Sequence, residues 1–160
     1  MKISRRLVGT SAAVATAAGI GVLGTDVKSP WYRDLDKPSW QPPGAAFGPA
    51  WTTLYALMAV ASARTLDRLE TPRERRAFAT AFGANLALNA GWCWLFFTSQ
   101  RPRLALAEIV LLEASTLDLT RRAAKVDPPA AKMLLPYAGW VAFATTLNAA
   151  IARRNPEGHS

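Results

Sequence analysis

The amino-acid sequence predicts an all-α membrane protein that folds as a bundle of five transmembrane helices. Hydrophobic residues make up 51% of the 160 residues, although the formal net charge is +8. The charged residues are concentrated in short segments, and five stretches between them are almost free of charge. Each approaches the ~20 residues that an α-helix needs to cross a membrane. A soluble helical bundle is the alternative, because the mean hydropathy is only +0.08.

A single domain is expected over residues 1–160, since no linker-like segment divides the chain. We predict a loop over residues 26–46 that acts as a lid, between the first and second helices. The five predicted membrane spans cover residues 7–25, 47–66, 77–97, 104–124 and 129–153.

The first predicted span also has features of a cleavable signal sequence. Its basic head, apolar middle and small residues would suit a signal peptidase, in which case four spans would remain after cleavage near Thr25. The apolar run continues for about 19 residues, which is long for a signal sequence, and a short loop follows it. We therefore expect an uncleaved first helix.

The distribution of basic residues predicts the orientation. They are more frequent in the N-terminal segment and the second and fourth loops than in the other loops and the C-terminal segment. The positive-inside rule then places the N-terminus in the cytoplasm and residues 26–46 on the opposite side. A pI near 10.4 can also indicate nucleic-acid binding. Because the basic residues lie at segment ends rather than along one helix face, we expect no nucleic-acid partner.

Few residues are available for ordinary catalysis. The sequence has one histidine, His159, and one cysteine, Cys93. A metal site, a nucleophilic triad and a disulfide therefore cannot be assembled from the usual residue types, and no Gly-rich phosphate loop is present. We expect no metal and no required cofactor.

Aromatic residues and prolines are crowded into WYRDLDKPSWQPPGAAFGPAWTTLY, residues 31–55. Prolines restrict backbone freedom, so we interpret the first part of this segment as a stiff lid. Trp51 and Tyr55 lie one turn apart at the start of the second span and share a helix face. In the fifth span, Trp140 shares a face with Tyr137 and Ala144. Such walls suit a flat apolar ligand with a few polar edges.

The third span has two different faces. A stripe of small residues repeats every four positions and would allow close approach of another helix, either from a second copy of the chain or from the same chain. Asn85, Asn89 and Trp92 lie roughly opposite and are expected to face the bundle interior. The predicted dimer interface consists of Ala79, Gly83, Ala87 and Gly91.

The fourth span contains two carboxyl groups, Glu108 and Glu113. Carboxyl groups at membrane depth normally face protein or a wet cavity, which makes them candidates for function. We expect Asn89 or Asn148 to provide a hydrogen-bond partner for Glu108.

Three motifs together resemble the TspO/MBR family of tryptophan-rich membrane proteins, which includes the mitochondrial translocator protein. They are WY..L.KPSW.PP....GP.W..LY at residues 31–55, LALNAGWCWLFF at residues 86–97 and PYAGWVAFATTLN at residues 136–148. The resemblance implies a five-helix bundle, often a homodimer in the cell membrane, that binds porphyrins such as protoporphyrin IX or haem as a receptor, sensor or translocator. Cholesterol binding is not expected, since Ala149 stands where the sterol pattern of animal members has tyrosine.

The resemblance also implies ligand-binding positions and a second activity. Trp51 and Trp140 match two tryptophans that the family is reported to use in light-dependent porphyrin breakdown, so a degrading enzyme is an alternative to a binding protein. A further alternative is a structural membrane protein whose aromatic residues serve only as interfacial anchors. The implied ligand-binding residues are Tyr32, Trp40, Pro42, Trp51, Tyr55, Asn89, Trp92, Glu108, Trp140, Ala144, Leu147 and Asn148.

Overall fold

The computed structural model describes residues 4–156, and this part of the chain is all-helical, which confirms the all-α part of the predicted fold class. His159 lies outside the described residues. A short π-helical segment, Trp94–Thr98, continues the fourth helix. The α-helices are α1 (Arg5–Gly24), α2 (Pro30–Asp34), α3 (Gly44–Arg68), α4 (Pro72–Cys93), α5 (Pro102–Ala124) and α6 (Pro128–Arg154).

The described chain has six α-helices rather than the predicted five. The additional helix is α2, a turn of five residues within the predicted lid loop. Its start is specified locally, because the Ser29 side chain accepts a hydrogen bond from the Tyr32 amide and Pro30 occupies the first helical position. Each of the other five helices has at least 20 residues and overlaps one predicted span.

Prolines and caps define where the later helices begin. Proline occupies the first turn of α4, α5 and α6, where its missing N–H costs no intrahelical hydrogen bond. Thr71 and Glu74 form a capping box at the start of α4. Asp127 caps α6 and accepts a hydrogen bond from the Ala130 amide at 3.3 Å. These signals place the starts of α4 and α6 before the predicted span limits.

Asp127 also carries an ion pair that joins two helices. Its side chain is 2% exposed, and its carboxylate lies 3.1 Å from Nε of Arg64 in α3. Burial opposes ionisation of this carboxyl group. The hydrogen bonds from Arg64 and the Ala130 amide outweigh that effect and hold the pKa of Asp127 below its usual value.

The π-helical segment changes the direction of the chain at the end of α4. The Ser99 amide donates to the Trp94 carbonyl at 2.8 Å, five residues earlier, instead of the four that an α-helix uses. Gln100 follows with φ of 55°, a left-handed conformation that ends the helix. The segment turns Phe96 and Phe97 into the bundle, where both are buried.

The five long helices form a closed ring in the order α1, α3, α6, α5, α4. Helices α3 and α4 are consecutive in the chain but share few contacts, because they lie on different sides of α1. The centre of the ring is filled by fully buried side chains. These include Met58, Leu134, Tyr137 and Val141.

The first helix is an integral part of this ring. The Thr10 hydroxyl donates to the Ala59 carbonyl of α3 at 2.8 Å, and the Trp94 indole donates to the Ile20 carbonyl at 3.0 Å. Gly24 packs directly on the Trp94 ring, because a Cβ at this position would lie 2.7 Å from the indole. Removal of α1 would therefore expose one side of both α3 and α4.

Two of the described helices, α1 and α6, are long and apolar enough to cross a membrane. The outside of the bundle also exposes large apolar side chains on helices that do not meet this standard, notably α5. Those on α5 include Leu104, Val110, Leu111 and Leu117. An apolar outer surface is typical of helices that contact lipid.

Candidate functional site

The lid packs its aromatic residues onto the π-helical segment. The Trp31 ring meets the Phe96 ring edge-on at 5.8 Å, and the Tyr32 ring lies 5.2 Å from the Phe97 ring. Lys37 covers the outer side of Tyr32, with Nζ 4.5 Å from the ring centroid and a hydrogen bond to the Tyr32 carbonyl. Helix α2 thus closes the end of the bundle at which α4 ends.

A polar clasp holds the lid to the end of α6. The Asp36 amide donates to Oδ1 of Asn155 at 2.9 Å, and Nδ2 of Asn155 donates to the Asp36 carbonyl at 3.0 Å. Arg154 adds an ion pair to the Asp36 carboxylate at 3.6 Å. Next to the clasp, Trp40 packs against Phe143 of α6, with ring centroids 5.9 Å apart. Trp40 is 48% exposed.

Trp51 and Trp140 meet below the lid, where α3 packs against α6. Their rings are 6.2 Å apart and nearly perpendicular. Trp51 also packs on Tyr55 at 5.3 Å, and Trp140 on Phe47 at 5.8 Å. These rings form a continuous aromatic wall. A flat ligand could lie between the two indoles only after one of them turned.

A chain of hydrogen bonds runs from this wall into the bundle centre. The Tyr55 hydroxyl donates to Oδ1 of Asn89 at 2.9 Å, and Nδ2 of Asn89 donates to the Tyr137 hydroxyl at 3.1 Å. Tyr137 in turn donates to Oδ1 of Asn85 at 3.1 Å, and Nδ2 of Asn85 donates to the Thr116 hydroxyl at 3.0 Å. The chain joins α3, α4, α6 and α5 and satisfies every one of these buried groups.

A second polar link lies closer to the lid. The Trp92 indole donates to Oδ1 of Asn148 at 2.8 Å, and Nδ2 of Asn148 donates to the Pro102 carbonyl at 2.8 Å. Trp92 stacks on Phe96, with centroids 4.9 Å apart, and so connects this link to the residues beneath Tyr32. Leu147 is buried in the same cluster.

The prediction that Asn89 or Asn148 forms a hydrogen bond with Glu108 is wrong. Asn89 bonds to the two tyrosines and Asn148 to Trp92 and Pro102, so neither reaches Glu108. Instead, Oε1 of Glu108 lies 3.9 Å from the position that a Cβ on Gly91 would occupy. Both oxygens are buried and have no hydrogen-bond partner among the described residues. The rotation of α5 directs this carboxyl group toward a glycine, where α4 has no side chain to offer.

The small-residue stripe of α4 lies mostly on the outside of the bundle. Ala79, Gly83 and Ala87 are exposed, and Gly91 is half-buried beside Glu108. No atom lies within 4 Å of a Cβ built on Gly83. The sequence allowed two roles for this stripe: packing within the same chain, or contact with a second copy. At Gly83, no other described helix of the same chain packs against it.

Eight of the twelve predicted ligand-binding residues fall into two neighbouring groups, and Glu108 lies outside both, beside Gly91. Trp51, Tyr55, Asn89 and Trp140 come together at the aromatic wall, while Tyr32, Trp92, Leu147 and Asn148 come together beneath the lid. Half-buried Ala144 packs against the first group's core, and Trp40 and Pro42 lie at the lid's outer edge. Sequence reasoning missed the central role of Tyr137, although its position one turn before Trp140 was a usable signal.

The two groups offer stacking surfaces and hydrogen-bonding side chains. Among residues 4–156, no three His, Cys, Asp or Glu side chains are placed to hold a metal ion. The groups present are aromatic rings, amides and phenols, which can stack on a flat apolar molecule and bond to its polar edge.

Comparison with known proteins gives a consistent relationship over most of the chain. The model of the TspO/MBR family matches residues 10–154. The tryptophan-rich protein TspO of Chlorobaculum tepidum is 39% identical over 126 residues, covering 79% of this chain and 80% of that protein. The human translocator protein is 36% identical over 126 residues, covering 78% and 75%. Protein CrtK of Rhodobacter capsulatus is 37% identical over 127 residues, covering 79% of each chain.

Proposed function

This chain belongs to the TspO/MBR family, and from that premise we propose that it is a multi-pass membrane protein that binds porphyrins. Its ligand would be protoporphyrin IX or a similar flat tetrapyrrole, held as cargo or signal rather than as a resident cofactor. In this proposal all five long helices cross the membrane, the N-terminus lies in the cytoplasm, and the lid lies on the opposite side. The apolar exterior of α5 supports the additional spans.

The contact between Trp51 and Trp140 is the observation that carries the proposal. The two indoles are 6.2 Å apart, and Tyr137 lies 6.3 Å from Trp51. This arrangement provides an aromatic surface for a macrocycle, with the Tyr55 and Asn89 hydrogen-bond chain beside it for polar ring substituents. Aromatic side chains have few rotatable bonds, so stacking on them costs little side-chain entropy and suits a rigid guest.

The test is a titration of the purified protein with protoporphyrin IX, followed by quenching of tryptophan fluorescence. Trp51→Ala and Trp140→Ala should each weaken binding roughly tenfold, if each ring contributes ~1.4 kcal/mol of stacking. Trp94→Phe is the matched control, since Trp94 packs against α1 on the other side of the bundle. Equal affinity in wild type and both alanine variants, with the fold intact by circular dichroism, would refute this site.

Light-dependent degradation of the porphyrin is a second candidate, favoured by the same pair of rings. An indole in contact with an excited macrocycle can donate an electron to it and is left as a radical cation, which the second indole lies close enough to share. Dissolved O2 would take the electron from the reduced macrocycle and supply the oxygen that opens the ring. The measurement is the decay of the Soret band under illumination in air. Trp51→Phe and Trp140→Phe should slow the bleaching, and wild-type rates in both variants would exclude this reaction.

A homodimer formed through α4 completes the proposal. The exposed small residues at 79, 83 and 87 leave room for a second copy of the helix. Gly83→Leu should then shift detergent-solubilised protein from dimer to monomer in analytical ultracentrifugation, while Gly19→Leu on α1, also open around its Cβ, should not. A dimer that persists in Gly83→Leu would place the interface elsewhere.

A further inference from the structure

A groove of about 520 Å³ runs between α3 and α6 on the outside of the bundle. This volume falls within the ~300–1,000 Å³ typical of small-molecule sites. Pro49, Ala50 and Thr53 contribute to one side of the groove, and Gly139 and Trp140 to the other. The lid residues do not line it.

The surface of the groove is apolar in its chemistry. No charged residue lines it, and the single hydroxyl, on Thr53, already donates to the Pro49 carbonyl at 3.0 Å. A charged group would therefore lose hydration there without gaining a partner, so the apolar macrocycle of a porphyrin would enter the groove while its carboxylates stay at the membrane surface. The groove suits a hydrocarbon-like or flat aromatic molecule that is dissolved in the bilayer.

Trp140 is shared between the groove and the candidate site. Its ring lines the groove and also contacts Trp51 and Phe47 of the aromatic wall. The indoles of Trp92 and Trp94 are each fixed by a hydrogen bond, whereas the Trp140 indole donates none within residues 4–156. Only apolar contacts hold the Trp140 ring in place, so it can turn more easily than the rings of Trp92 and Trp94. The Trp51 indole also donates no hydrogen bond among the described residues, but of these two rings only Trp140 lines the groove.

The surroundings of the two routes to the site differ. The lid is closed by the hydrogen bonds and ion pair of Asp36 with Asn155 and Arg154. The groove is open, and each of its two helices contains an internal proline, at Pro49 and Pro136. Because proline removes an intrahelical hydrogen bond, both walls of the groove are easier to bend than a regular helix.

We propose that the groove between α3 and α6 is a lateral entrance through which a flat apolar ligand passes from the bilayer to the site, with Trp140 as the movable ring between them. This entrance rests on the proposed porphyrin-binding function. The ligand then reaches the site from the membrane, not from water through the lid. The lid then seals the site from the aqueous side while exchange takes place.

The experiment measures association and dissociation rates of protoporphyrin IX in phosphatidylcholine vesicles, by stopped-flow quenching of tryptophan fluorescence. Gly139→Leu places a larger side chain in the groove, at a position where no atom lies within 4 Å of an added Cβ. Ala107→Leu, on the exposed side of α5, adds a leucine to a helix away from the groove and is the control. A second variant carries a pair of introduced cysteines, Asp36→Cys and Asn155→Cys, in a Cys93→Ala background. Oxidation of this pair to a disulfide locks the lid.

Gly139→Leu should slow both association and dissociation roughly tenfold and leave the equilibrium affinity unchanged, because an obstructed route affects both directions equally. Ala107→Leu and the oxidised lid variant should exchange porphyrin at the wild-type rate. Wild-type rates in Gly139→Leu, or slow exchange in the oxidised but not the reduced lid variant, would overturn the lateral entrance. A wild-type protein that binds no porphyrin would overturn the proposed function itself, which the titration identifies separately.

Discussion

The Trp92 indole and the Asn148 side chain are joined by a 2.8 Å hydrogen bond that links α4 to α6 beneath the lid. Asn148 is 1% exposed, and its remaining amide group donates to the Pro102 carbonyl of α5. A single asparagine therefore fixes three helices at the end of the bundle where the candidate site lies.

Asn148→Leu should lower the free energy of unfolding by about 1 kcal/mol, the usual size of an interhelical hydrogen bond in a membrane. The loss arises because the half-buried Trp92 N–H and the buried Pro102 carbonyl both lose their partner. Unfolding in sodium dodecyl sulfate, followed by circular dichroism, measures it. In a double-mutant cycle with Trp92→Phe the two losses should be less than additive, and strict additivity would show that the bond contributes nothing.

Tyr137→Phe should destabilise the protein more than Tyr55→Phe. Tyr137 is 0% exposed, and its hydroxyl serves both Asn85 and Asn89, so its removal leaves two buried amides short of a partner. We expect a loss of about 1–3 kcal/mol for Tyr137→Phe. Tyr55 is half-buried and serves only Asn89, so it is the matched control. Equal losses in the same unfolding assay would contradict this ranking.

Gly24→Ala should destabilise the junction between α1 and the π-helical segment. The added Cβ would lie 2.7 Å from the Trp94 ring, which its hydrogen bond to the Ile20 carbonyl holds in place. Gly19→Ala is the control, because no atom lies within 4 Å of its Cβ and alanine favours the helix by about 1 kcal/mol. The two variants should therefore shift the melting temperature in opposite directions, and a shift of the same sign would count against close packing at Gly24.

The ion pair of Asp127 and Arg64 should make stability depend on pH in acid. The folded-state pKa of Asp127 is lowered, so its stabilising contribution is fully present above the usual value of 3.8 and is lost as the pH falls through the folded-state pKa. Asp127→Asn retains the helix cap but not the charge. Its melting temperature should lie below that of wild type at pH 7, and the difference should shrink below about pH 4. A difference that is constant over this range would assign the effect to packing.

Helix positions could be predicted from the sequence because they depend on local composition. Each of the five charge-poor stretches overlaps a long helix. Helices α4 and α6 begin before the predicted span limits, where Thr71 and Asp127 act as caps. Helix α2 also had a local signal in Ser29 and Pro30, but the prediction there was a loop. No such local signal was recognised for the π-helical segment Trp94–Thr98.

The arrangement of the site was only partly accessible from the sequence. Helical spacing put Trp51 with Tyr55 and Asn85 with Asn89 on common faces, and the structure keeps both pairs together. The rotation of one helix against another is not encoded in such spacing. For that reason the predicted hydrogen-bond partner of Glu108 was not the correct one. Tyr137 lies between the two asparagines, and its central position was not recognised.

The ring order of the helices also constrains how the protein is made. Helix α3 pairs with α6, which is the last to leave the ribosome, so the seam between them closes only after all other helices have been synthesised. Until then Trp51 lacks its partner indole. A nascent chain that stalls before α6 would therefore leave the ring open between α3 and α5, with Trp51 and Tyr55 uncovered.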